Sequence, residues 1–294
     1  MARTALQHLT SPFIAVAHSL VVVAILATAF GCSSERRTTA SVPTAPAPVP
    51  LATAPVEAAE PEMVLVPAGP FWMGCNREVD RGCRPTEFPY RQVTVPAFRI
   101  DRTEVTQGDY ARCVAAGACA PPSARPACRY DPTERAHYPV TCIDWFRAHD
   151  YCAWADKRLC SEAEWEKAAR GDDGRVYPWG NAAPTCEVSH NSDCGTGPLP
   201  AGTQSGGASP YGVLDMAGNV REWVEDDWFD SHEGAPDDGS ARVATPRRRE
   251  RVRRGCCFEG LGGSLRTSAR MSGPAAQDGD CFGIRCCADA QEGT

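Results

Sequence analysis

Apolar and polar residues alternate from Met63, where M-V-L-V reads as a strand broken by Pro67 and Gly69 and resumed at Phe71. A second strand is predicted near Val93 to Ile100. Thr106 then caps a short helix with Asp109 at its third position, and Gly117 ends it. The strongest helical pattern follows. Asp144 is a good cap for a helix that places Ala148, Cys152 and Ala155 on one face. Ser161 caps another, with Glu164 completing a capping box, Trp165, Ala168 and Ala169 forming the inward stripe and Gly171 at the left-handed end. Beyond Gly180 helical periodicity stops, and glycine, proline, serine and aspartate dominate.

Composition sharpens this picture. With 26 glycines and 25 prolines among 294 residues, much of the fold is irregular loop, and such loops need pins other than hydrogen-bond ladders. Sixteen cysteines supply them and point to an oxidising compartment, because cytosolic thiols stay reduced. There is no paired C-x-x-C and no second histidine four residues from a first, so zinc spacing is absent. A net charge of -7 argues against nucleic acid as a partner. The one basic run, Arg247 to Arg254, is expected to be a solvated strand edge.

The ends of the chain suggest its address. Residues 1–31 read as an export signal, with Arg3 in the positive region and an apolar run from Phe13 to Phe30. Gly31-Cys32 suggests a lipobox, in which Cys32 would be lipidated and become the mature N-terminus. The alternative is an uncleaved anchor helix. Residues 32–61, rich in Pro, Ala and Thr, cannot bury enough surface to offset chain entropy and read as a tether. Residues 62–290 form the expected single domain, held outside the cytoplasm at a membrane, periplasmic or outer.

The stretch Y-C-A-W-A-D-K-R-L-C-S-E-A-E-W-E-K-A-A-R-G with Y-P-W-G resembles the signature of the sulfatase-modifying-factor family, whose namesake is the formylglycine-generating enzyme. Further blocks recur in family order: M-V-L-V-P-A-G-P-F-W-M-G, E-V-T from Glu104, Y-G-V-L-D-M-A-G-N-V-R-E-W-V from Tyr211, R-V-R-R-G from Arg251 and G-I-R-C from Gly283. Asp156 and Cys160 replace a glycine and a proline of the pattern. The resemblance implies an α+β, disulfide-rich variant of the C-type lectin fold with little regular structure. It also implies a long-range bridge from Cys152 to Cys286. Cys75 with Cys83 and Cys186 with Cys194 are the local pairs expected from their placement.

The family's enzyme oxidises a sulfatase cysteine to formylglycine with copper held by two cysteines in R-G-G-S-F-L-C-x-x-x-x-C. Here the segment is R-G-C-C-F-E-G-L-G-G-S-L-R-T-S-A-R. Gly260 stands where the first cysteine belongs, the second position falls near Gly262, and no cysteine lies between Phe258 and Arg270. Copper is therefore not expected, since hydroxyls and carboxylates do not replace thiolates for Cu(I). No catalytic residue is assigned. Cys256 and Cys257 are expected to pair elsewhere, with Cys281 or Cys287. The His-x-x-x-His iron motif of a second family branch is also absent. Calcium is the expected cofactor: the resemblance places it at Asp215, the carbonyls of Gly218 and Val220, and Glu222, a hard-oxygen set, although a capped turn would explain the same residues. A second calcium site would map to Glu187, Val188, Asn191 and Asp193. The expected function is a non-catalytic binding or scaffold domain for a protein or peptide ligand; the alternative is an oxidoreductase with an altered site.

Overall fold

A computed structural model describes residues 62–290; Cys32, the export signal and the tether lie outside the described residues. The apolar alternation at the start yields β1 (Met63–Val66) and β2 (Gly69–Met73). The expected strand from Val93 to Ile100 is two strands, β3 (Arg91–Val95) and β4 (Phe98–Asp101). They join different sheets: β3 pairs with β2, whereas β4 lies between β1 and the last strand, β10 (Cys286–Asp289). Pro96 and Ala97 fall at the break.

Three α-helices follow. In α1 (Gln107–Ala115) the Thr106 hydroxyl accepts the Asp109 amide. In α2 (Trp145–Trp154) the Asp144 carboxylate accepts the Arg147 amide. In α3 (Glu162–Arg170) Ser161 and Glu164 form the reciprocal capping box, and Gly171 takes φ 73°, a left-handed value that favours glycine. Between α2 and α3, the short β5 (Arg158–Leu159) pairs with β10.

A third sheet runs in the order β8-β7-β6-β9, from β6 (Arg221–Asp227), β7 (Glu250–Arg254), β8 (Arg270–Pro274) and β9 (Phe282–Ile284). The β6–β9 pairing is parallel, so the sheet is mixed. The expectation of a solvated edge for Arg251 to Arg254 is corrected here. β7 has a neighbour on each side, and all four residues are buried.

Seven disulfides and one free thiol, Cys256, account for the cysteines among the described residues. Cys152–Cys286 and Cys160–Cys287 fasten α2 and the entry to α3 to successive residues of β10. Each closes a loop of more than 120 residues, a contribution of about 4–5 kcal/mol by loop-closure entropy. Cys75–Cys83, Cys113–Cys119, Cys128–Cys142 and Cys186–Cys194 pin individual loops. The adjacent cysteines part company: Cys257 bridges to Cys281, while Cys256 stays reduced and buried.

All nine residues of α3 are buried, not only its apolar stripe. Its charges are answered individually. Glu162 is held by Arg254 and Arg270, Glu166 by Arg254 and Arg170. Lys167 donates to the carbonyls of Pro67 and Gly69, and Arg170 to those of Trp72 and Gly74. These bonds replace the water lost on burial and lock the β2 hairpin onto the third sheet.

Candidate functional site

The segment that should carry the thiolates leaves β7 and turns through Cys256 to Gly260. Gly260 has no room for a side chain: a Cβ there would overlap the Cys256 Sγ. Cys256 thus fills the place where a cysteine at 260 would begin. Burial pushes its thiol up from the ordinary value, against the opposing charge of Arg221. Cys257 is committed to Cys281. One buried, protonated thiol is not the pair of soft ligands that Cu(I) needs, so the residues present do not fit that copper site.

Beside this segment opens a cavity of about 530 Å³. One wall comes from the loop after α1, with Arg129, Arg135 and Tyr138; the other comes from Phe258, Glu259 and Asp280. Arg135 stacks on the Tyr138 ring at 3.8 Å, and its buried Nε lacks a hydrogen-bond partner. Among the described residues, none of Arg129, Arg135, Glu259 and Asp280 joins an ion pair within 4.0 Å. The cleft therefore carries cations on one side and acids on the other, each open to a ligand.

The loop assigned to calcium lies just before β6. Asp215 and Asn219 both take φ 59°, a left-handed value that these two residue types tolerate. Gly218 is required as glycine, because a Cβ would overlap the backbone of His190. Asp215 Oδ2 accepts the Gly202 amide at 2.5 Å, and Asn219 Oδ1 accepts that of Leu199 at 2.9 Å. Glu222 is more heavily committed. Arg285 Nε reaches both its oxygens at 3.0 Å, Arg285 Nη2 donates to Oε1 at 2.8 Å, and Trp165 Nε1 donates to Oε2 at 2.6 Å.

Beside them Glu104 is buried. Its Oε1 accepts from Asn219 Nδ2 at 2.9 Å, while its Oε2 has no hydrogen-bond partner. Burial, with the charge of Asp215 behind it, drives the Glu104 carboxyl well above its ordinary range. Three carboxyl groups thus surround one guanidinium, and one oxygen of Glu104 is left without a hydrogen-bond partner. That donor set suits a hard divalent cation. In the other expected site, Asn191 Oδ1 accepts the Asp193 amide at 2.9 Å and Cys186–Cys194 closes the loop, with Glu187 exposed.

The resemblance seen in the motifs extends over the whole domain. Residues 50–290 match the sulfatase-modifying factor enzyme 1-like domain. The chain belongs to that family. It is 30% identical to the formylglycine-generating enzyme of Thermomonospora curvata, an alignment covering 77% of this chain and 93% of that protein. It is 32% identical to the hercynine oxygenase of Mycolicibacterium smegmatis over 60% of its own length, and spans about half (49%) of that relative. Among solved structures, PvdO from Pseudomonas aeruginosa shares 30% identity at a TM-score of 0.69, covering 78% of this chain and 95% of that one. Relatives of this chain therefore include an oxygenase and a formylglycine-generating enzyme, and its α+β fold is shared with PvdO.

Arg129, Arg135, Tyr138 and Asp280 were not among the sequence-derived site residues. Arg129, Arg135 and Tyr138 share the loop after α1 and Asp280 precedes β9, and no local spacing links either segment to Phe258. Arg221 carried a faint signal, since it is a cation opening the otherwise buried strand R-E-W-V.

Proposed function

We propose that this sulfatase-modifying-factor domain acts outside the cytoplasm as a binding module, taking a peptide segment of mixed charge into the cleft between Arg129 and Glu259. One observation carries this reading. The cleft stands open beside the family's oxidase segment, while the position of the first copper cysteine is a glycine whose side-chain space is filled by Cys256. Lipid attachment at Cys32 would hold the domain at a membrane, with residues 32–61 as the spacer. Calcium at Asp215, the Gly218 and Val220 carbonyls and Glu222 would fix the turn that leads into β6, with Glu222 shared between the cation and Arg285, and Glu104 would add the charge that the cluster lacks.

The test is chemical. Purified protein loaded anaerobically with Cu(I) should retain far less than one equivalent, and a cysteine-containing sulfatase peptide should emerge unmodified in the presence of copper and oxygen. One tightly held copper, or an aldehyde product lost on Cys256→Ser, would establish the oxidoreductase reading instead. Mass spectrometry of the mature N-terminus tests the anchor: a terminus beyond Cys32 without lipid mass would remove it.

A further inference from the structure

Arg221 opens β6 with a guanidinium that has no acid to pair with. Its Nη1 donates to Sγ of Cys257 at 3.2 Å, and its buried Nε has no hydrogen-bond partner. Among the described residues no carboxylate lies within 4.0 Å of it. The neighbouring Arg253 guanidinium, lowered to about 10 by burial and by the like charge of Arg221, adds repulsion rather than relief.

A bridged sulfur is a weak acceptor, so desolvating a cation against it gains little. Against a thiolate, the same contact is a charge-assisted hydrogen bond. The surroundings of Cys257 therefore suit its reduced form better than its bridged one. The bridge at Cys75 supplies a contrast. Arg266 Nη1 lies 3.5 Å from Cys75 Sγ, but its charge is spent on Asp80 and Glu87 at 2.9 and 2.6 Å.

Both cysteines are buried, but they differ in residual exposure. Cys281 keeps 4% of its surface exposed and Cys257 none. Glu259 Oε2 stands 3.8 Å from Cys281 Sγ, and Glu259 and Asp280 both line the cleft. We propose that Cys257–Cys281 is a thiol–disulfide exchange site in the cleft wall, entered at Cys281 by a dithiol compound, with Arg221 as the positioning residue for the Cys257 thiolate that leaves.

The steps balance. Glu259 takes the proton from one thiol of the dithiol, and the resulting thiolate attacks Cys281 Sγ. A bond forms to Cys281, the bond to Cys257 breaks, and its electron pair stays on Cys257 opposite Arg221. The second thiol of the same compound then attacks the sulfur of its own first thiol, releasing the Cys281 thiolate, which takes up a proton. The dithiol leaves as a disulfide, oxidised by two electrons, and the bridge is reduced by two. Cys256 takes no part as a nucleophile, because burial keeps its thiol protonated.

The experiment equilibrates the full chain in graded glutathione buffers, quenches with acid, alkylates, and reads each bridge by mass spectrometry. Cys257–Cys281 should be reduced at least tenfold more readily than the buried bridges Cys152–Cys286 and Cys160–Cys287. Arg221→Met should abolish most of that difference, and Arg221→Lys should keep it. A folded Arg221→Met protein with an unchanged midpoint would overturn the proposal. So would a wild-type bridge no easier to reduce than the other two. Should Arg221→Met fail to fold, the alkylation rate of reduced Cys257 against pH in the wild type decides: a thiol pKa at or above about 8.5, the ordinary value, overturns it as well.

Discussion

The underside of α3 and the cleft wall hold similar residues in opposite circumstances. Under α3, Glu162 and Glu166 meet Arg254, Arg270 and Arg170 at 2.6 to 3.2 Å with almost no exposed surface. Around the cleft, Arg129, Arg135, Glu259 and Asp280 remain apart, and Arg221 rests against a sulfur. A buried charge is tolerated only with partners, so the first arrangement belongs to folding. Charges left unpaired beside a cavity gain nothing for stability where they stand. Their use lies in what enters.

The largest effect should come from breaking the closed side. Arg254→Met removes a cation shared by two buried glutamates and by the Thr267 carbonyl. Leaving buried carboxylates short of a partner costs about 3–5 kcal/mol, so urea midpoints should fall sharply. On the open side, Arg129→Met should change stability by less than about 0.5 kcal/mol. Equal losses from the two variants would erase the distinction.

A second experiment probes a soft spot at the edge of the closed network. Burial and the charge of Glu162 raise Asp226 to about 7, whereas burial lowers His232 to about 4. Burial also opposes the Glu162 charge, but Arg270 and Arg254 hold that carboxyl down to about 2. Between its ordinary value of 3.8 and about 7, Asp226 keeps a proton in the fold that the unfolded chain has released, so its share of stability falls as pH rises. His232 does the reverse between about 4 and 6.5, where only the unfolded chain is protonated. The two slopes oppose each other, leaving a shallow wild-type profile from pH 4.5 to 6.5. Asp226→Asn should expose the histidine slope, a rise approaching 1.4 kcal/mol per pH unit. Urea melts at several pH values check this, and a variant that keeps the wild-type profile would show that Asp226 does not titrate in that window.

The closed side was partly legible in the sequence and the open side hardly at all. Caps at Thr106, Asp144 and Ser161 act through amides three residues away, so their helices could be read locally. The partners of α3 could not, because Arg254 and Arg270 arrive from strands about 90 and 110 positions later. Read alone, Arg251 to Arg254 resembled a solvated run, since arginines are seldom buried without partners that only the fold supplies. Cys257–Cys281 was foreseeable as one of two pairings, but Arg221 beside it depends on β6 and β7 being neighbours. The cleft combines the loop after α1 with residues 196–199, 258, 259 and 280, and no periodicity in the chain encodes that.

The Glu104 cluster lies between the two cases. Glu222 is fully paired like the glutamates of α3, whereas Glu104 carries an unbonded oxygen and a raised pKa. Without a cation, burial and the charge of Asp215 favour the neutral Glu104 carboxyl, so Glu104→Gln should barely alter stability in calcium-free buffer. With calcium, the wild type should gain about 1.4 kcal/mol at tenfold the dissociation constant, because a ligand that binds only the fold stabilises it by mass action. Glu104→Gln should lose most of that gain, and Asp215→Asn should lose it too, while magnesium, which demands a tighter octahedral shell, should do less. Melting curves over a calcium series decide the matter. If Asp215→Asn responds to calcium as the wild type does, the cation is elsewhere, and Glu104 is simply a neutral acid buried against Asn219.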